Sequence, residues 1–176
     1  MRICRFHKGK GAILAAAILL VVVAGCSEEN PVNVTPDEVA GDYSFSRFEF
    51  IPLATAVQPA NILDTLITAN SFLKLTHGGQ FLLNYQFKEG PESIIAGNFS
   101  LTATQVKLLA AAGSEARLAP LLLDPTVHLD RIPEEGQIGE RLELSIVKTA
   151  DLSKFSDRYQ GLPPLQGRLE IILTPR

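Results

Sequence analysis

The sequence predicts an all-β domain, an antiparallel meander of about eight strands closing into a barrel. Three observations carry that prediction. Between residues 41 and 176, apolar residues recur with period two in successive runs, as half-buried strands require. Gly, Pro, Asn and Asp punctuate the runs at turn spacing. No amphipathic helix of about 10–15 residues separates them, which argues against a parallel α/β sheet. A meander of this size hides both of its edges by closing on itself.

The domain does not begin at residue 1. The first ten residues carry Arg2, Arg5, Lys8 and Lys10 and no acid, and residues 11–25 are uncharged and apolar. This is the layout of a secretory signal. The apolar run falls short of the roughly 20 residues that a helix needs to cross a bilayer. Val23-Ala24-Gly25-Cys26 resembles the bacterial lipobox. That resemblance implies cleavage before Cys26 and acylation of its thiol. Residues 1–25 are then a lipoprotein signal peptide, and 26–40 are the lipidated cysteine with a flexible polar tether containing Pro31 and Pro36. Each buried acyl CH₂ adds about 0.8 kcal/mol, and two or more chains give stable membrane anchoring. The resemblance also implies a sorting preference. Ser27, rather than Asp, follows the cysteine, which favours the outer membrane of a Gram-negative cell over the inner one.

Cysteine usage agrees. Cys4 leaves with the signal and Cys26 is consumed by lipid, so the domain keeps neither thiol nor disulfide. It must rely on its apolar core, and it has no thiolate for a metal or for nucleophilic catalysis. Removing four basic residues from the sixteen Lys and Arg leaves twelve against nineteen acids, a net charge of −7 over 26–176. An acidic domain has no electrostatic attraction for nucleic acid. From Cys26 onward, 151 residues make one ordinary domain.

The elements follow in order. Residues 41–51 form a first strand in which Tyr43 and Phe45 share one face while Phe48 and Phe50 share the other. The switch predicts a bulge near Ser46 or Arg47. Pro52 ends this strand and residues 53–61 are a loop. Residues 62–67, ILDTLI, have helical spacing at Leu63, Leu66 and Ile67, but their brevity and the threonines at 65 and 68 favour a strand. Residues 71–87 are a hairpin around Gly78-Gly79, with Leu73 and Leu75 on one face before the turn and Phe81, Leu83, Tyr85 and Phe87 on one face after it. A turn at 89–92 leads into a strand over 93–101 with Ile95, Gly97, Phe99 and Leu101 on one face. Gly97 marks a bend or a close backbone approach. Residues 102–112 read either as a helix capped by Thr102 and stopped by Gly113, or as a strand around 106–110; spacing favours the strand. A short strand around 127–129, a clear one over 141–149 with Leu142, Leu144 and Ile146 inward, a long loop or short helix over 150–166, and a last strand over 167–175 with Leu169, Ile171 and Leu173 inward complete the chain.

Gly41-Asp42-Tyr43, the Gly78-Gly79-Gln80-Phe81 hairpin, Gly97-Asn98-Phe99 and the final Leu-x-Ile-x-Leu strand together resemble the lipocalin-like domains of bacterial lipoproteins. The chain departs from the family at its opening motif, where lipocalins have Gly-x-Trp and this chain has Tyr43. The resemblance implies a lipocalin-like barrel over 41–176; it carries over no ligand-binding residue.

Chemistry is harder to find. His77 sits before the Gly-Gly turn, where a solvent-facing role is expected. Asp124, His128 and Asp130 lie within seven residues, but two groups on one strand do not make a metal site. Glu134 and Glu135 are adjacent in a Pro-Glu-Glu-Gly turn, point apart, and read as a solvated loop. There is no G-x-S-x-G elbow and no phosphate-cradling glycine motif. An enzyme is therefore not expected, and no cofactor. Two functions stay open. One is a lipid-anchored binding module holding a small apolar ligand in a cavity lined by Tyr43, Phe45, Phe81, Leu83, Tyr85 and Phe99. The other is a structural or interaction lipoprotein with a filled barrel that meets an envelope protein partner. Eight-stranded barrels do either. The loops over 111–140 and 150–166 are the expected functional surface.

Overall fold

Alternating side chains, rather than helical stripes, decide the architecture. In the computed structural model, residues 34–133 and 140–176 are described. Strands β1 (Gly41–Pro52), β2 (Ala60–Asn61), β3 (Phe72–Leu75), β4 (Gln80–Gln86), β5 (Glu92–Leu101), β6 (Gln105–Ala110), β7 (Thr126–Pro133), β8 (Glu140–Ala150) and β9 (Leu165–Pro175) follow one another in the chain. β1 pairs with β3, each strand from β3 to β9 pairs antiparallel with the next, and β9 pairs back onto β1. The result is a closed eight-stranded up-and-down β-barrel of the lipocalin-like type. The two-residue β2 is added beside β1 at Phe50↔Ala60.

Closure depends on β1, which is twelve residues long and touches both neighbours. Its register with β9 shifts between Phe45 and Arg47, leaving Ser46 as the extra residue of a bulge. The bulge turns two opposed aromatic pairs to one side. Tyr43, Phe45, Phe48 and Phe50 are all buried, and the rings of Phe45 and Phe48 stack with centroids 5.7 Å apart. Without the extra residue, Phe48 and Phe50 would face water, because the side-chain period of a strand is two.

Two glycines let strands approach. A Cβ on Gly97 would collide with the Leu109 carbonyl oxygen and the Phe81 ring, and one on Gly167 would meet Ile51 O at 2.6 Å and the Phe50 ring. Gly97 is therefore a close backbone approach, as expected. In the β3–β4 hairpin, Gly79 takes φ +74°, and its N–H donates to Thr76 O at 3.0 Å.

The strand expected over 62–67 is instead a single 3₁₀ turn, Leu63–Thr65, with an isolated bridge at Leu66↔Phe87. The Thr65 hydroxyl donates to Ile62 O at 2.7 Å, and Ile62 and Leu66 are the buried pair, spaced four apart as a helical turn requires. Residues 105–110 are the strand preferred over a helix. The preceding turn is held by Thr102, whose hydroxyl accepts the Gln105 N–H at 3.0 Å.

The two barrel ends differ. At one end lie the chain's entrance at 34–40, the turns 76–79 and 102–104, and the C-terminus. At the other lie the loops 53–71, 87–91, 111–125 and 151–164. The compact unit begins at Val34 and not at Gly41, because 34–40, read as tether, packs on the barrel. Val39 is buried and its carbonyl accepts the Tyr43 hydroxyl at 2.7 Å. Glu38 closes a capping box with Thr35 and reaches Arg131 at 2.8 Å. Cys26 and the signal and tether residues up to 33 lie outside the described residues, as do Glu134 and Glu135.

Candidate functional site

Buried apolar side chains line the barrel interior. The six residues expected to line a ligand cavity, Tyr43, Phe45, Phe81, Leu83, Tyr85 and Phe99, all point inward and are buried. Only Phe45 and Leu83 of these border the interior void, which measures about 20 Å³, room for about one water. Leu123, from the loop 111–125, closes that void from the loop end. Leu118, Leu121, Ile62, Leu66, Leu152 and Tyr159 complete the plug, each buried and each from a loop.

Hydrogen bonds fasten the plug. Tyr85 Oη donates to Arg117 O at 2.5 Å, and Arg117 donates to Ile94 O at 2.9 Å. Tyr159 Oη donates to Pro59 O at 2.9 Å, joining the first loop to the last. Lys148 Nζ donates to Leu122 O at 2.5 Å and lies 3.5 Å from Asp124. Leu122 sits at φ +57°, a left-handed conformation that costs a branched residue about 1–2 kcal/mol, and Lys148 holds its carbonyl in place.

Outside this plug, the same end carries a cleft of about 690 Å³ to which all four loops contribute. Phe87, Phe155 and Pro120 give it an apolar wall. The two rings are 6.4 Å apart and tilted by 49°. Tyr85 packs edge-on behind Phe87 at 5.5 Å, so the wall is set from the core. Lys88 N–H donates to Thr65 O at 2.9 Å, and Ile67 N–H to Gln86 O at 2.8 Å, which stitches the first loop to the end of β4. Asp64, Lys88, Glu89, Lys154 and Asp157 form the rim, with Ser153 and Ser156 between them. Pro120 and residues 153–157 fall within the loops expected to be functional. Residues 64–65 and 87–90 were not expected there. Their signal in the sequence is slight: Phe87 continues the inward set of β4 one residue past its end.

The opposite end is electrostatic. Arg131 is buried, its Nε and Nη2 donating to the Glu140 carboxylate at 2.5 and 2.9 Å, its Nη1 to Thr102 O at 2.9 Å, and Nη2 also to Glu38 at 2.8 Å. The hydrogen bond to Glu140 raises the Arg131 pKa further above its ordinary value. The hydrogen bond from Arg131 holds the Glu38 carboxyl below the usual glutamate range. Burial, with the Glu140 charge nearby, pushes the Tyr43 phenol up to about 12. Each of the three Arg131 nitrogens donates to an acceptor, and the bond to Glu38 makes the cluster a structural clasp on 34–40.

The histidine constellation is not assembled. His128 is exposed on the outer face of β7, Asp130 accepts from Gln105 at 2.8 Å, and Asp124 turns to Lys148. Among the described residues no group of three His, Cys, Asp or Glu could hold a metal ion. His77 is exposed and contacts Asp37 at 2.6 Å. Fold and site define a class, a closed eight-stranded barrel with a plugged interior and a loop-built cleft. The chain matches no known family model, and no curated protein matches it.

Proposed function

We propose that this chain is a lipid-anchored cell-envelope lipoprotein whose barrel is a filled scaffold and whose contacts are made through its loop end. The observation that carries the reading is the interior void of about 20 Å³. Small-molecule sites occupy roughly 300–1,000 Å³, so this interior suits packing and not a cargo. The anchoring half rests on the sequence, the basic start, the short apolar run and the Val23-Ala24-Gly25-Cys26 pattern. It extends to the outer membrane through Ser27. The net charge of −7 keeps the domain from adhering to anionic headgroups by itself, so attachment falls to the lipid on Cys26.

Two measurements test the two halves separately. Growth with an alkyne-tagged palmitate should label the wild-type chain and leave Cys26→Ser unlabelled and outside the membrane fraction; equal labelling of both defeats the anchor. Native mass spectrometry of 27–176, exported with an ordinary cleavable signal and purified without detergent, should give the bare monomer mass. A defined adduct lost on denaturation would instead favour a barrel holding a small apolar ligand.

A further inference from the structure

The loop-end cleft has a composition that narrows its occupant. Its wall is a preset aromatic wedge, Phe87 against Phe155, backed by the buried Tyr85 and flanked by Pro120. Its rim carries two cations, Lys88 and Lys154, and three anions, Asp64, Glu89 and Asp157. Among the described residues none of these five is in a salt bridge. On the barrel wall several charges do pair. Arg47 pairs with Glu49 and Glu170, Arg168 with Glu170, Arg141 with Glu143, and Lys74 with Asp42. The rim thus holds exposed charges of both signs, outside any salt bridge, around an apolar wedge.

That arrangement favours neither sign of charge alone. An anion would meet three carboxylates and a polycation two ammonium groups, and like charges brought together at a contact are unfavourable. A purely apolar molecule would leave the charged rim without a counterpart. A peptide strand supplies an apolar side chain for the wedge and charged side chains of both signs for the rim.

We propose that the cleft is a docking site for an extended peptide segment of a protein partner, which seats one aromatic or aliphatic side chain against Phe87 and Phe155 and carries opposite charges on either side of it. This rests on the reading of the loop end as the working surface and is independent of the anchor.

The test is selection of a random heptapeptide phage library on the full-length chain in detergent micelles, counter-selected on empty micelles. Enriched sequences should carry an aromatic or large aliphatic residue flanked by both charge signs. A synthetic copy of the best should bind Phe155→Ala at least tenfold more weakly than wild type, with unchanged far-UV circular dichroism. Lys154→Glu, an exposed substitution, should weaken it several-fold and serves should Phe155→Ala fail to fold. The proposal is overturned if nothing enriches over empty micelles, if binding is indifferent to both substitutions, or if a neutral oligosaccharide array binds through Phe155 while peptides do not. Loss of palmitate labelling would leave the selection unaffected, and a mass adduct would report on the interior, so failure of the broader reading is seen separately.

Discussion

Gly97 is fixed by contact and not by conformation. Its Cα lies so close to the Leu109 carbonyl and the Phe81 ring that no side chain fits, and backbone cannot yield as a flexible side chain would. Gly97→Ala is therefore expected to cost about 2–4 kcal/mol, at or above the usual overpacking penalty. Gly90→Ala, whose Cβ would meet Phe87 Cβ at an ordinary 3.6 Å, should stay within about 0.5 kcal/mol. Urea unfolding of both variants measures the contrast. Tyr43 makes a pH prediction. Its phenol has a pKa raised by burial from 10.0 to about 12, so the folded state favours the neutral form. The stability this contributes is complete below pH 10 and is lost as pH rises from 10 to 12, by about 2–3 kcal/mol at the upper limit. Tyr43→Phe should lose about 1 kcal/mol at neutral pH with the hydrogen bond to Val39 and show a shallower alkaline decline. Equal slopes for both proteins over pH 9–12 would contradict this.

At the scale of elements, the bulge in β1 and the clasp on 34–40 carry the consequences. Deleting Ser46 restores a regular period and sends Phe48 and Phe50, both fully buried, to the outside. The expected result is an insoluble or unfolded chain, whereas Ser46→Ala, which removes only a 3.2 Å bond to Ile172 O, should fold normally. Soluble yield and circular dichroism distinguish the two. The clasp should open in acid. Glu38 has a folded-state pKa below its ordinary value of 4.5, so it binds fewer protons folded than unfolded. Its contribution is full above about pH 4.5 and fades as pH falls through the lower folded value. Protection of the Val39 amide, which donates to Pro36 O at 3.2 Å, should fall below that window in the wild type when exchange is compared with the intrinsic rate at each pH. In Glu38→Gln the protection should already be lower at pH 7 and should change less on acidification.

For the whole molecule, the plug makes the interior and the loop end one unit. Leu123 closes the void from a loop, so truncating it opens space where barrel and loops meet. Leu123→Ala should cost about 2–4 kcal/mol and leave a dry apolar cavity able to take benzene or xenon. The wild type should show no such uptake and no rise in Tm with saturating small apolar ligands. A ligand at a hundred times its Kd would stabilise the fold by about 2.7 kcal/mol, which calorimetry resolves easily. A wild-type shift of that size would overturn the filled-barrel reading.

What the sequence determined by itself is the alternation and its interruptions. Period two at Leu142, Leu144, Leu169, Ile171 and Leu173 assigns their faces because a pleated strand has only two. The misphased aromatics of β1 required a bulge, and Gly97 required a close approach, since each has one local explanation. Residues 62–67 misled because Thr65, the following Thr68 and a short length weigh propensity without the hydrogen bond from Thr65 to Ile62 O that the tertiary fold permits. Nor could local pattern place Val39 and Glu38 on the barrel: their partners Tyr43 and Arg131 become neighbours only when the strands close. Whether the interior was hollow was likewise outside the sequence's reach. The same inward Phe and Leu residues can line a cavity or fill one, and what decides is how far the loop carrying Leu118, Leu121 and Leu123 descends into the barrel. The cleft is the last case. Phe87 and Phe155 lie 68 positions apart in the chain and 6.4 Å apart in space, a juxtaposition set by closure of eight strands that no periodicity encodes.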